Sequence, residues 1–263
     1  VGEVRERWGE AKLVGCGGSS SQTIGIKGND TAIAMGHGVH APFPILMERD
    51  FLFLKETVRA PVKLLASYGV KPSPEMPINT RVYEEEFIAL PEGYVKNPEA
   101  LLSDDQAMTF VRTSNNCDVS LLIAFDVIHS AFPFIDIEAL GGEIIDVAVS
   151  ETIPEEFAAT PASTPRLALQ SHLDCANLFR YTARPGRQRF EKFEWTAVRY
   201  MQITVRNAPD GLHIRHAGSL YTHYPVTNAG AFSCGDDFLN ELWRVGKHTI
   251  LQCTHDAWED CPG

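Results

Sequence analysis

The stretch VSLLIAFDVIHSAFPFIDIEALGGEIIDVAVSE, from Val119 to Glu151, decides the fold. It contains three runs rich in Val, Ile, Leu and Phe, the residues favoured in β-strands. Gly141 and Gly142 separate the second and third runs and predict a two-residue hairpin turn. In those two runs the apolar positions include the period-two alternation of half-buried strands, at Phe132, Phe134, Ile135, Ile137, Ile144, Ile145, Val147 and Val149.

Similar runs continue on the carboxyl side of this stretch, at RLALQSHL, NLFRYTARPG, AVRYMQITVRN and GLHIRHAGSLYTHYP, with ARPG and NAPDG as turn clusters. Regular short strands with Gly, Pro and Asn turns favour an antiparallel sandwich or jelly roll. We therefore expect a mainly β fold, with a jelly-roll-like antiparallel β-sandwich over residues 119–232. Residues 1–118 are predicted to be an irregular, strand-rich part of the same sandwich assembly.

The hydrophobic period changes near Asp236. Ser233 supplies a capping signal, and Asp236 and Asp237 lie where a helix dipole favours acidic side chains. The pattern predicts a helix of about twenty residues that ends near Trp258. Since an apolar stripe needs a partner, either the helix docks on the sandwich or the sequence is a fragment of a longer protein, and we favour the second interpretation. The stripe consists of Leu239, Leu242, Trp243, Gly246, Ile250, Cys253 and Ala257.

The composition excludes several classes of protein. The chain has 263 residues, 23 Lys and Arg against 34 Asp and Glu, and 44% hydrophobic residues. This apolar content is typical of a globular, core-forming protein and excludes a disordered chain. The formal charge of −11 gives no reason to expect a nucleic acid or an anionic membrane as partner. No run approaches the roughly 18 to 20 apolar residues that span a bilayer.

The sequence shows no motif for a metal or another cofactor, and we predict neither. Cys253 and Cys261 are too far apart, without partners, to form a zinc site, and His37 and His40 lack a third ligand nearby. The six scattered cysteines are expected to be free thiols, which slightly favours a cytoplasmic location. The acidic run Glu84 to Glu86 is interpreted as the solvated edge of a strand.

Two C-terminal stretches carry a family resemblance. FSCGDDFLNELW, from Phe232 to Trp243, and CTHDAWEDCP, from Cys253 to Pro262, resemble the entry into the catalytic domain of bacterial α-L-rhamnosidases of glycoside hydrolase family 78, in the six-hairpin glycosidase group. The resemblance implies that the predicted helix begins an (α/α)6 barrel, with residues 233–263 as its first helix and loop. The sandwich that precedes the barrel in this family resembles Pro44–Glu56, Phe125–Glu151 and Arg180–Val205.

The same resemblance implies hydrolysis of terminal α-L-rhamnosides with inversion, by a carboxylic acid and a carboxylate about 6.5 to 9.5 Å apart. It places both groups beyond Gly263, so we expect no catalytic residue in this chain and no activity from it alone. Only Asp260 corresponds to a family site residue, as a ligand of the sugar; the alternative is an ordinary polar residue at a helix end. His255 and Glu259 are candidates to support that pocket, or else belong to a solvated helix end.

Two other functions stay open. A carbohydrate-binding jelly roll would need an exposed aromatic platform, for which Trp195, Tyr200, Tyr221 and Tyr224 are candidates, although aromatic residues in strands are more often core. A purely structural sandwich predicts an exposed apolar face larger than monomers normally show. In each enzymatic or binding hypothesis the partner is a carbohydrate, and the oligomeric state is open.

Overall fold

The computed structural model describes residues 52–75, 77–78, 82, 85–103, 107–153, 177–227 and 230–259. Every strand pairing in these ranges is antiparallel. The predicted fold class, mainly β with a C-terminal helix, is confirmed. The elements are β1 (Lys55–Arg59), β2 (Lys63–Val70), β3 (Phe87–Ile88), β4 (Val95–Lys96), a 3₁₀ helix (Pro98–Leu102), β5 (Thr109–Val111), β6 (Asp118–Ala139), β7 (Ile144–Ser150), β8 (Leu178–Thr182), β9 (Gly186–Glu191), β10 (Thr196–Arg206), β11 (Leu212–His223) and α1 (Asp237–Gln252).

The strands form two layers that share the 22-residue strand β6. The first half of β6 lies between β2 and β10, and β7 and β8 continue that layer beyond β10. The second half lies between β11 and β9, and β1 pairs with the far side of β11. The hydrophobic core contains Val119, Leu121, Ile123, Ile135, Ile137, Ile145, Val147, Met201, Ile203 and Val205. Among the described residues no helix is long and apolar enough to span a membrane.

The two halves of β6 meet at an interruption of the strand ladder. Val198 of β10 pairs with His129, and Tyr200 pairs with Ala124, so residues 125–128 have no counterpart on β10. The first two apolar runs of the sequence are therefore one strand, interrupted by a bulge at residues 125–128. Bulges bend a strand and increase its twist. Before this interruption β6 pairs with β2 of the first layer, and after it β6 pairs with β11 and β9 of the second.

Gly141 and Gly142 form a turn, as predicted, with φ angles of 110° and 95° that favour glycine. A Cβ atom on Gly141 would lie 2.9 Å from the ring of Pro185. The carboxylate of Glu143 accepts hydrogen bonds from the amides of Leu140 and Gly141, both at 2.7 Å. The predicted hairpin is nevertheless wrong, because β7 pairs with β10 and β8, and β10 lies between β7 and β6.

Strand β7 is buried on both faces, whereas its alternation predicted one solvated face. Ile145 to Ser150 are all buried. The inward side chains belong to the core, and on the outer face Ala148 packs with Leu122 and Val82. Val82 and Glu85 therefore lie over the outside of the first layer, and we call these two described residues the covering segment.

A cluster of five charged side chains lies under this covering segment. Arg206 donates to Asp118 and to Asp146, both at 2.8 Å, and also to Glu85. Arg180 forms two further hydrogen bonds with Asp146, at 2.6 and 2.7 Å. Only 1% of Glu85 and 5% of Arg206 is exposed. Since a buried charge needs paired partners, this cluster is a condition for closing the covering segment over the sheet.

The interpretation of Glu84 to Glu86 as a solvated edge is wrong for Glu85. Glu86 is exposed and pairs with Lys71 at 2.8 Å, as a solvated residue does. Glu84 lies outside the described residues. The run is thus divided, because Glu85 finds a guanidinium 121 positions away on β10.

Burial raises the pKa of Glu85 to about 7, although the Arg206 guanidinium opposes this shift. Three carboxylates share two guanidinium groups in this cluster, and the negative charges of Asp146 and Asp118 add to the rise in the pKa of Glu85. Burial disfavours the charged form of Arg206, but the neighbouring carboxylates of Glu85 and Asp146 outweigh it and raise the pKa of Arg206. Protonation of Glu85 would remove the one excess negative charge of the cluster.

Arg206→Met should lower the free energy of unfolding by about 3 to 5 kcal/mol, because it leaves buried carboxylates without their shared cation. Urea unfolding followed by circular dichroism measures this change. Arg187→Met is the matched control, since Arg187 pairs with Asp136 on the surface and is 63% exposed; it should have little effect. Equal effects of the two substitutions would contradict the structural role of the cluster.

Glu85→Gln should change the pH dependence of stability. Between pH 4.5 and about 7 the folded state keeps a proton on Glu85 that the unfolded state releases, so this group's contribution to stability falls as the pH rises. We therefore compare the free energy of unfolding of the unsubstituted protein with that of Glu85→Gln. The difference between the two should fall by about 3 kcal/mol between pH 4.5 and pH 7.5. Denaturant unfolding at both pH values measures it, with Glu86→Gln as the exposed control; a constant difference would contradict the argument.

Candidate functional site

Helix α1 begins and ends differently from its prediction. Asp236, not Ser233, is the N-cap, and its carboxylate accepts hydrogen bonds from the amides of Phe238 and Leu239 at 2.9 and 3.4 Å. The helix has 16 residues and ends at Gln252. The chain then turns, so the predicted extension to Trp258 is wrong. The C-terminal end of the helix and this turn form the candidate site.

The helix is attached to the sandwich through polar side chains at its C-terminal end. Gln252 is only 4% exposed. Its side-chain oxygen accepts from the amide of Ser130 at 2.7 Å, and its amide nitrogen donates to the Tyr221 hydroxyl at 3.0 Å. His248 donates to the carbonyl of Ile128 at 2.7 Å. Ile128 lies in the bulge of β6, where its carbonyl has no partner on β10. The helix supplies the hydrogen-bond donor for this carbonyl. We call this set of contacts the helix joint.

The apolar stripe of α1 does not dock on the sandwich within the described part of the chain. Leu242 is 57% exposed and Ile250 is 55% exposed. The stripe residues from Leu239 to Ile250 line an open groove of about 510 Å³, together with Val226, Thr227, Gly230 and Phe232. Most monomers do not leave such a row of large apolar side chains uncovered.

After α1, residues 253–259 form a closed turn. The amide of Glu259 donates to the carbonyl of Cys253 at 2.9 Å, and Nδ1 of His255 donates to the Glu259 carboxylate at 3.0 Å. His255 is 2% exposed, and its ring stacks on Trp195 with the ring centres 4.5 Å apart and the planes 14° apart. Of the three predicted site residues, the structure thus brings His255 and Glu259 together. Asp260 lies outside the described residues.

The solvated-helix-end alternative does not fit His255, whose ring is enclosed. Its Nε2 is buried and forms no hydrogen bond within the described ranges. The orientation of the imidazole therefore depends on Trp195 and Glu259. Sequence reasoning found His255 but not the contact with Trp195, which lies 60 positions earlier.

Sequence reasoning also missed a buried serine–histidine pair. Nδ1 of His129 donates to the carbonyl of Val127 at 2.9 Å, so Nε2 accepts the hydroxyl proton of Ser219 at 2.6 Å. This is the geometry of a nucleophile and its base. However, both residues are fully buried and no substrate can reach them. Burial lowers the pKa of His129 to about 4. The imidazole that binds the carbonyl of Val127 in the bulge is therefore neutral.

None of the four aromatic residues proposed for a sugar platform is fully exposed. Tyr221 is buried, and Trp195, Tyr200 and Tyr224 are half-buried. Trp195 is covered on one ring face by His255. Trp258, in contrast, is 77% exposed, but it lies in the C-terminal turn and not on the sheet. In the part of the chain that the structure describes, no three His, Cys, Asp or Glu residues are grouped as metal ligands do.

Comparison with known proteins indicates a protein that is similar to α-L-rhamnosidases. An α-L-rhamnosidase of Formosa agariphila is 30% identical over 90 residues, which are 33% of this chain and 9% of that protein. The crystal structure of a GH78 family rhamnosidase of Bacillus sp. GL1 matches with a TM-score of 0.56 and 27% identity, over 68% of this chain and 17% of that chain. A rhamnosidase of Klebsiella oxytoca, solved with rhamnose bound, matches with a TM-score of 0.49 and 13% identity, over 80% of this chain and 37% of that one. No family model matches the chain.

The chain is therefore GH78 rhamnosidase-like, and its sandwich corresponds to a sandwich domain of such an enzyme. It spans about a tenth to a sixth of the first two relatives.

Gln252→Leu should destabilise the helix joint. The substitution leaves the Ser130 amide and the Tyr221 hydroxyl buried without their partner, which costs about 1 to 3 kcal/mol. The measurement is the free energy of unfolding, together with hydrogen exchange along α1. Arg244→Gln, at an exposed position of the same helix, is the control. If both variants unfold alike, Gln252 does not hold the helix on the sandwich.

Proposed function

We propose that these residues belong to a glycoside hydrolase that resembles inverting α-L-rhamnosidases and cleaves terminal α-L-rhamnosides. The observation that supports this most is the match of the sandwich to the GH78 rhamnosidase of Bacillus sp. GL1, at 27% identity and over 68% of this chain. In this proposal the 263 residues supply the sandwich, and the general acid and base come from residues beyond Gly263.

The second part of the proposal concerns residues 233–263, as the first helix and loop of an (α/α)6 catalytic barrel. Two features support it. The joint fixes α1 on the sandwich through its polar end, and the exposed stripe with Leu242 and Trp243 is available for another helix. An amphipathic helix is stable mainly through the packing of its apolar face. In the barrel the groove beside α1 would receive the neighbouring helix.

Asp260 is the proposed sugar ligand of this chain. A carboxylate that accepts hydrogen bonds from sugar hydroxyls is a strong, charge-assisted partner. The turn with His255 and Glu259 ends immediately before Asp260, which suits a segment that must hold one orientation. The competing hypothesis of a carbohydrate-binding module needs an exposed aromatic platform, whereas the four predicted residues are buried or half-buried, so we do not favour it.

The test begins with the DNA that encodes the chain, read past the codon for Gly263. The longest open reading frame should be expressed and assayed with p-nitrophenyl α-L-rhamnoside, and the first-formed anomer of the released sugar should be identified by NMR. We expect release of nitrophenol with inversion from the full-length protein. The 263 residues alone should release none, because they lack the acid and base.

Three results would contradict the proposal. These are a stop codon directly after Gly263, hydrolysis by the 263 residues alone, or a full-length protein that cleaves a nitrophenyl glycoside of another 6-deoxy sugar but not the rhamnoside. Asp260→Asn provides the site-specific arm of the test. It should raise KM for the rhamnoside and leave the fold unchanged, as judged by circular dichroism.

A further inference from the structure

The turn at residues 253–259 is closed by several short contacts. The amide of His255 donates to the carbonyl of Ala257 at 3.1 Å, and the amide of Glu259 donates to the carbonyl of Cys253 at 2.9 Å. Thr254 and Trp258 form an isolated β-bridge across the turn. The turn therefore returns the chain to the end of α1 before residue 260 begins.

Two contacts between described residues join the sandwich to this turn. The amide of Tyr224, just after β11, donates to the carbonyl of Thr254 at 2.7 Å. Trp195, just before β10, stacks on His255. Trp195 is itself held edge-on against Phe132 of β6, with the ring centres 5.9 Å apart. Phe132 thus packs against the indole of Trp195, and the indole packs against the imidazole of His255.

His255 in turn contacts the carboxylate of Glu259. A carboxylate is only an acceptor, so Nδ1 of His255 carries the proton of their 3.0 Å hydrogen bond. His255 Nε2 has no hydrogen bond in the described part of the chain, which leaves the stack with Trp195 as the second contact that orients the ring. Glu259 directly precedes Asp260 in the sequence, so these contacts hold the last described residue before the proposed sugar ligand.

We propose that Trp195 and His255 are positioning residues for the sugar-binding segment, and that the sandwich orients Asp260 through Glu259. The role of Asp260 in this inference rests on the proposed function. The sandwich then takes part in substrate binding without touching the sugar. Trp195, on the sandwich, would set the affinity for a rhamnoside.

The kinetic arm uses the full-length protein. Since a sugar ligand acts in the ground state and the transition state alike, Trp195→Leu should raise KM for p-nitrophenyl α-L-rhamnoside by about tenfold with kcat nearly unchanged. Trp195→Phe keeps an aromatic ring and should restore most of the affinity. Phe193→Leu, in the same loop and 69% exposed, is the matched control and should leave KM unchanged.

A double-mutant cycle separates positioning from an independent contact. If Trp195 acts through Asp260, then Trp195→Leu should add nothing to the KM increase of Asp260→Asn. If the KM increases of the two single variants multiply in the double variant, the proposal is overturned. A Trp195→Leu variant that behaves like Phe193→Leu would also overturn it.

Hydrogen exchange on the 263-residue chain gives a readout that does not depend on activity. Trp195→Leu should speed exchange of the Glu259 amide by about tenfold and leave the amides of β10 unchanged, and Trp195→Phe should reverse the effect. If the full-length protein cleaves no rhamnoside, the proposed function fails and this exchange pattern alone decides whether Trp195 positions the turn. Unchanged exchange at Glu259 would overturn the inference in either case.

Discussion

The interruption of the β6 ladder at residues 125–128 is the constraint on which the position of the site depends. Residues 125–128 have no counterpart on β10, so their backbone groups receive no hydrogen bond from that strand. His129 satisfies the carbonyl of Val127, and His248 satisfies that of Ile128. Gln252 binds the amide of Ser130 just beyond the bulge. Two of these three partners belong to α1, so the bend that joins the two layers also anchors the helix.

In the sandwich, side chains are buried on the outer face of the first layer as well as in the core between the layers. Arg206, Glu85 and their neighbours are a buried polar cluster beneath the covering segment. A charged cluster of this kind stabilises less than apolar packing, but breaking it leaves unpaired charges in a region without water. This part of the sheet is therefore occupied by the protein's own chain and is not a free surface for a sugar. Its architecture suits a supporting domain better than a binding module.

The C-terminal helix combines a fixed end with a free face. Gln252 is attached to β6 and β11, whereas the stripe with Leu242 and Trp243 is open. The proposed arrangement, in which a helical catalytic domain follows the sandwich, would account for both features. In that proposal the polar contacts fix the direction of the helix, and its apolar side chains would pack against the next helix.

The sequence by itself determined the strand-rich sandwich, the Gly141–Gly142 turn, the stripe of α1 and the similarity to rhamnosidases, because each is written in periodicity or motifs within a few residues. Tertiary structure decided the rest. It separated β6 from β7 by β10, buried Glu85 against Arg206 and stacked Trp195 on His255. These contacts join residues 50 or more positions apart, so no local pattern contains them. Their free energy comes from burial and pairing, which exist only once the layers have assembled.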